Sequence, residues 1–227
     1  MHEKRDSDTR ERLITAAATL VAAAPGEDFS LRAACDAAGV TMPTAYHFFG
    51  SKQGLIDALV ERGFEQYLTA KQATESTGDP IGDIRAGWDA HVTFGLAHPG
   101  LYTLMYGQVR PGHYPASHAA PTRHLAELTA RAAAQGRLAV TPQAAAAHVL
   151  ATNVGVTLRQ IVLEAPDPDL SAAVRDATLA AITGAHRDQD PFSAAIEAAS
   201  AAPDTLGAEE TRLLIAWLGR LRDRTSR

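Results

Sequence analysis

Residues 30–55 read SLRAACDAAGVTMPTAYHFFGSKQGL, and this stretch decides the fold. It predicts a short helix, a tight turn at Gly39, a second short helix and the start of a third. Ser30 is placed to cap the first helix by accepting a backbone N–H through its hydroxyl. Leu31, Ala34 and Cys35 then share one face at helical spacing. Gly39 stands where a left-handed stop is needed, a geometry glycine reaches without a Cβ penalty. Val40 is expected as a buried bridge and Thr41 as the cap of the next helix. Pro43 is tolerated in a first turn, where its missing N–H has no intrahelical partner to lose. The pattern is a helix-turn-helix, with residues 42–48 as the helix offered to a DNA major groove.

Several fixed spacings agree within AGVTMPTAYHFFGSKQGLI, residues 38–56. A small residue, Ala38, precedes Gly39-Val40, and Thr41 follows. Tyr46 comes five residues later, then the aromatic pair Phe48–Phe49, and Ser51-Lys52 opens a long helix. At these residues the chain resembles the tetracycline-repressor (TetR) family of transcriptional regulators. The resemblance is detailed over about the first quarter of the chain and extends to the rest only in layout. Three positions depart from the family pattern: Pro43 stands where Gly is frequent, Ala34 where a larger aliphatic is usual, and Cys35 where Ala is usual. The resemblance implies that Thr41, Tyr46, His47 and Lys52 hold phosphates, while Met42, Pro43 and Thr44 stand nearest the base edges. Ser30 and Arg32 complete the expected DNA-binding set. Met42 and Thr44 are suited to packing against a thymine methyl. It also implies a homodimer on a pseudo-palindromic double-stranded operator, acting as a repressor and released by a small-molecule effector, with no cofactor. Two late helices would pair with their mates as a four-helix bundle.

Composition bounds these expectations. The chain has 227 residues, 46% hydrophobic and 21% charged, with a net charge of −5. Those are globular proportions, in a chain long enough to bury a sizeable core. Its apolar runs fall short of the ~20 residues needed to span a bilayer. The opening MHEKRDSDTRER is polar and predicts no signal peptide. The single Cys35 suits a reducing compartment, so a cytoplasmic protein without a membrane partner is expected. The negative charge argues against non-specific coating of nucleic acid. Residues 1–54 hold six Lys or Arg against seven carboxylates. Phosphates would then be held largely by hydroxyls, backbone N–H groups and helix N-termini, with a modest salt dependence.

The hydrophobic periodicity is helical throughout, predicting an all-α protein. Residues 1–7 are expected as a polar arm from which Lys4 and Arg5 reach DNA or stay solvated, followed by a helix over 8–24 ended by Pro25-Gly26. The expected division is 1–51 as DNA-binding domain and 52–227 as effector-binding and dimerisation domain, with a helix over 51–75 joining the two. Further helices are predicted at 80–97, 101–107, 117–135, 142–164, 169–183, 191–201 and 208–223, with a loop at 108–116. The small residues of 142–164 and 169–183 suit close approach between copies, with 208–223 as the rival dimerisation helix.

Trp88, His91, Phe94, Tyr102, Met105 and Tyr106 concentrate aromatics in the first half of the larger part. They line either a small-molecule cavity or an ordinary helix-packing core; as a group they point to an apolar or aromatic effector. His148, Thr152, Asn153 and Arg159 are polar residues on a mostly apolar helix. If buried they need partners, either an effector or a partner subunit. The nine histidines lack metal-ligand spacing, and no phosphate loop or nucleophile elbow indicates an enzyme. The rival reading is a helical small-molecule-binding protein or enzyme whose helix-turn-helix is vestigial.

Overall fold

The structure, a computed structural model, describes residues 2–72, 77–107, 119–184 and 191–225. Eleven helices account for the secondary structure of these residues, and no strand is found among them. They are α1 (His2–Ala23), α2 (Leu31–Ala38), α3 (Met42–Phe49), α4 (Lys52–Gln72), α5 (Pro80–Ala97) and α6 (Pro99–Tyr106). Then come α7 (Ala119–Ala134), α8 (Pro142–Val162), α9 (Pro168–Thr183), α10 (Pro191–Ala201) and α11 (Ala208–Thr225). The all-α expectation holds.

Boundaries follow local chemistry. Asp79, Thr141 and Asp167 cap α5, α8 and α9 by accepting backbone N–H groups, each followed by proline in the first turn. Capping of this kind contributes about 1 kcal/mol per helix. One expectation fails: residues 2–7 continue α1 as helix instead of forming an arm. The side chains of Lys4 and Arg5 lie outside the described residues, as do the predicted loop 108–116 and positions 73–76.

Two apolar clusters organise the chain. The first joins Leu13, Ile14, Ala17 and Val21 of α1 to Leu31, Ala34 and Cys35 of α2, Ala45 of α3, and Leu55, Leu59 and Phe64 of α4. Leu13, Leu55 and Leu59 are wholly enclosed, each adding about 2 kcal/mol of transfer free energy. Met105 belongs to this cluster too, with Leu101 and Leu104 packed against it, so α6 is built into the core beneath the helix-turn-helix. The second cluster joins Ile84 and Trp88 of α5 to Leu128 of α7, Val149 and Val156 of α8, and Leu179 and Ile182 of α9. Ion pairs from Arg175 to Asp89 and from Arg85 to Asp176 tie α5 to α9 at the rim. Among the described residues, α10 and α11 pack on each other and make no extended contact with the other nine helices. No helix among those residues is long and apolar enough to cross a membrane.

Candidate functional site

The turn between α2 and α3 is fixed from several sides. Ser30 Oγ accepts from Ala33 N at 3.4 Å and opens α2. Gly39 closes it at φ 65°, and the Val40 N–H reaches back to the Cys35 carbonyl at 3.0 Å. That six-to-one bond with a left-handed residue is the helix-stop arrangement that favours glycine. Arg12 of α1 completes the turn: its guanidinium donates to the Ala38 carbonyl (Nη2 2.5 Å, Nε 3.2 Å) and to that of Gly39 at 3.4 Å. A cation there also meets the negative end of the α2 dipole. Nothing in the local pattern of α1 singles Arg12 out, because its partners are 26 and 27 residues away.

Helix α3 stands on a single buried side chain, Ala45. Thr41, Pro43, Tyr46 and His47 are exposed, while Met42 and Thr44 are partly covered. Thr41 occupies the cap position but makes no capping bond; its Oγ1 lies 2.9 Å from Thr44 Oγ1. Val40, expected as buried, is only partly so. Met42 Sδ sits 3.7 Å from Cys35 Sγ and anchors the near side of the helix. Tyr46 is 50% exposed, and the His47 ring rests edge-on against Phe48. Phe49 is partly buried under the Arg10 guanidinium, 5.6 Å from its centroid. Ser51 caps α4 by accepting from Gly54 N at 3.0 Å. A Cβ on Gly54 would lie 2.0 Å from the Phe49 carbonyl oxygen, so only glycine lets α4 start hard against the end of α3. Ser30 and Arg32 are exposed at the start of α2. Lys52 is paired with the exposed Asp28 carboxylate and lies 5.2 Å over the Phe29 ring. The head therefore presents hydroxyls, a phenol and an imidazole along one helix, with its nearest lysine already engaged.

Residues 13–59, the segment just described, match the model for bacterial regulatory proteins of the tetR family. These residues carry a tetR-family N-terminal domain. A TetR-family regulatory protein from Rhodococcus RHA1 has the same fold, at 16% identity and TM-score 0.60, with 77% of this chain and 96% of that one covered. RolR, whose structure contains resorcinol, aligns at 19% identity and TM-score 0.61, over 79% and 90% of the two chains. AibR, in complex with isovaleryl coenzyme A and operator DNA, aligns at 16% identity and TM-score 0.53, over 77% and 98%. Comparison with curated proteins finds no match.

Beyond the TetR head, a cavity of about 40 Å³ lies among α4, α5, α6, α7 and α8. Tyr67, Ile84, Trp88, His91, Tyr106, Leu125, Leu128, Val149, Leu150 and Asn153 line it. Four residues singled out from the sequence, Trp88, His91, Tyr106 and Asn153, thus meet around one space. The others lie elsewhere. Tyr102 is fully buried away from the cavity, its hydroxyl 2.6 Å from His91 Nε2. Phe94 packs between Tyr67 and His98, and Met105 belongs to the core under the head. Thr152 is bonded by the Thr178 hydroxyl of α9 at 3.2 Å, and His148 is exposed, as is Arg159. Tyr67, Leu125 and Leu128 were not singled out as lining; they look like ordinary apolar faces of their helices.

The buried polar groups around the cavity are satisfied within the fold. Trp88 Nε1 donates to Ser171 Oγ at 3.1 Å, Asn153 Nδ2 to the Trp88 carbonyl at 3.3 Å, and Thr157 Oγ1 to the Asn153 carbonyl at 2.8 Å. Burial pushes the Tyr67 phenol up to about 12 and raises that of Tyr102 as well. The wall is therefore largely aromatic, with phenol, imidazole and carboxamide as its polar points. Among the described residues no three His, Cys, Asp or Glu converge as a metal site; His113 and His118 lie outside those residues.

Proposed function

We propose that this chain is a repressor that binds a pseudo-palindromic operator as a homodimer and releases it when a small, partly apolar or aromatic molecule enters the body. The observation that carries the reading is α3: Ala45 and the partly buried Met42, Phe48 and Phe49 seat it on the core, and its outward residues are those that suit phosphates and base edges. Thr41, Tyr46 and His47 would hold phosphates, joined by Ser30 and Arg32; Pro43 and Thr44 would face the bases, with Met42 turned inward on Cys35 beside them. One short helix supplies too little specific affinity, so two heads about 34 Å apart would occupy successive major grooves.

The pairing surface in this reading is the outer face of α8 and α9. Ala147, Ala151 and Gly155 on α8, and Ala173, Ala177 and Ala181 on α9, are exposed side by side. A Cβ on Gly155 would touch nothing within 4 Å, and Val162 at the end of the same helix is 78% exposed. Small and apolar surface of this kind favours close helix approach between copies.

The cavity supports the effector class, since it offers ring faces with a phenol, an imidazole and a carboxamide as its hydrogen-bonding groups. That a protein of the same fold holds resorcinol is in keeping with it. Coupling would run through α4 and α6, which supply Tyr67 and Tyr106 to the cavity and pack into the core beneath the head. A ligand changes the head spacing only by binding one spacing better than the other.

The test is a gel-shift titration against the protein's own upstream intergenic DNA. Specific binding should vanish when Tyr46 and Lys52 are replaced together, with the dimer intact by sedimentation. Unchanged binding by that double variant would remove α3 as the reading helix.

A further inference from the structure

We propose that Arg12 of α1 determines sequence specificity without touching a base, by fixing the pitch of α3. The inference rests on α3 being the helix that reads DNA. Its two ends are held by different means. The C-terminal end is pinned backbone to backbone, since a Cβ on Gly54 would lie 2.0 Å from the Phe49 carbonyl oxygen. Phe48 and Phe49 add their rings to the core there. The N-terminal end hangs from the turn. Thr41 gives it no capping bond, and its side-chain anchor is Met42 against Cys35, a pliant thioether that follows small shifts of its backbone. Pro43 and Thr44, the proposed base readers, stand at this end, whereas Tyr46 and His47, assigned to phosphates, stand nearer the pinned one.

What sets the hanging end is Gly39, and what sets Gly39 is Arg12. At φ 65°, the link from α2 to α3 runs through the most permissive residue type. The φ and ψ of Gly39 relate two peptide planes, one carrying the Ala38 carbonyl and the other its own. The Arg12 guanidinium donates to both, reaching Ala38 O from Nη2 and Nε at 2.5 and 3.2 Å and Gly39 O from Nη2 at 3.4 Å. One planar cation thus ties the two planes together. Its stem leaves α1 beside the wholly enclosed Leu13, which makes the base of the tie rigid. The Asp8 carboxylate, 3.9 Å away, is the more distant partner. Helix α3 has eight residues and is about 12 Å long, so a tilt of about 5° on its pinned end carries the first turn about 1 Å. Binding groups need to be held within about 0.5 Å. Loss of Arg12 therefore spoils base reading and spares the phosphate contacts, which carry no sequence information.

The test compares two DNAs: the duplex that the wild-type protein selects from a random-sequence pool, and a scrambled duplex of the same length. Arg12→Ala, shown to be folded by circular dichroism at the assay temperature, should lower the ratio of the two affinities about ten-fold, close to the cost of one mismatched base pair. Its affinity for the scrambled duplex and the salt slope there should stay as in wild type. Arg12→Lys keeps the charge, but one ammonium cannot reproduce the fork of a guanidinium; its ratio should fall too, and it decides the matter if the alanine variant unfolds. A merely structural loss weakens both duplexes equally, leaves the ratio at the wild-type value and overturns the inference. So does a salt slope shallower by about one counterion in Arg12→Ala, which would make Arg12 a phosphate contact. A wild-type protein that selects no duplex removes α3 as the reading helix, and this inference with it. One that does select a duplex, with both folded variants discriminating equally well, refutes the role of Arg12 alone.

Discussion

A Cβ built on Gly100 would stand 2.2 Å from the carbonyl oxygen of Val21, so α6 rests on α1 with backbone against backbone. The same helix seats Met105 against Gly63 of α4, where an added Cβ would meet its sulfur at 3.0 Å. Gly100→Ala forces α6 and α1 apart in a filled core. The expected cost is about 2 kcal/mol, in the range of overpacked interiors. Urea unfolding of the variant should show its midpoint lowered with little change in slope; an unchanged midpoint would mean the approach is looser than described.

Arg12 is expected to matter more to stability than any other arginine of the head. Arg12→Ala removes charge-assisted donors from two carbonyls at the end of α2 and should cost about 1–2 kcal/mol. Its exposed ion-pair partner Asp8, 3.9 Å away, should be replaceable by Ala for less than about 0.5 kcal/mol. Comparing the two variants by denaturant titration separates the turn-capping role from the surface charge.

Lys52 meets Asp28 in the free protein, and a phosphate would have to displace that carboxylate. Asp28→Ala should therefore tighten operator binding several-fold, whereas Lys52→Ala should weaken it. Binding measured over a range of salt should give the Lys52→Ala protein a slope shallower by close to one counterion. Equal slopes for wild type and variant would show that Lys52 makes no phosphate contact.

The head was legible in the sequence because its constraints are local. Ser30, Gly39 and Pro43 each fix a backbone geometry within a few residues, so short-range chemistry is enough to draw α2, the turn and α3. The cavity was less legible. Tyr102 and Tyr106 are one helical turn apart and the sequence treats them alike, yet Tyr106 lines the space while Tyr102 is enclosed against His91. Which residue faces inward depends on the rotation of α6 against α5, and that is set by distant contacts such as Gly100 on Val21. Leu125 and Leu128 enter from α7, beyond any local signal. The α-helical start of the chain was missed for another reason: polar residues 2–7 have no apolar periodicity to announce a helix, and they simply extend α1.

Tyr67 gives the body an alkaline limit. Burial holds its phenol neutral, up to about 12 against a usual value near 10. A folded-state pKa raised in this way contributes its stability fully below pH 10 and loses it as pH rises toward 12. The difference corresponds to roughly 3 kcal/mol. Tyr67→Phe should flatten the fall of the urea midpoint between pH 10 and 12, and adding Tyr102→Phe should flatten it further, because burial raises that phenol too. If the single variant falls as steeply as wild type, the Tyr67 hydroxyl is hydrated.

The cavity of about 40 Å³ is far smaller than the roughly 150 Å³ known to admit a benzene ring. A guest of that bulk enters only by pushing the walls outward, and two of those walls, Tyr67 and Tyr106, belong to helices that hold up the head. The protein would thus gauge its visitor by girth. A molecule slim enough to slip in without moving those two rings would occupy the space in silence, whereas a thicker one would make itself felt at the far end of α4.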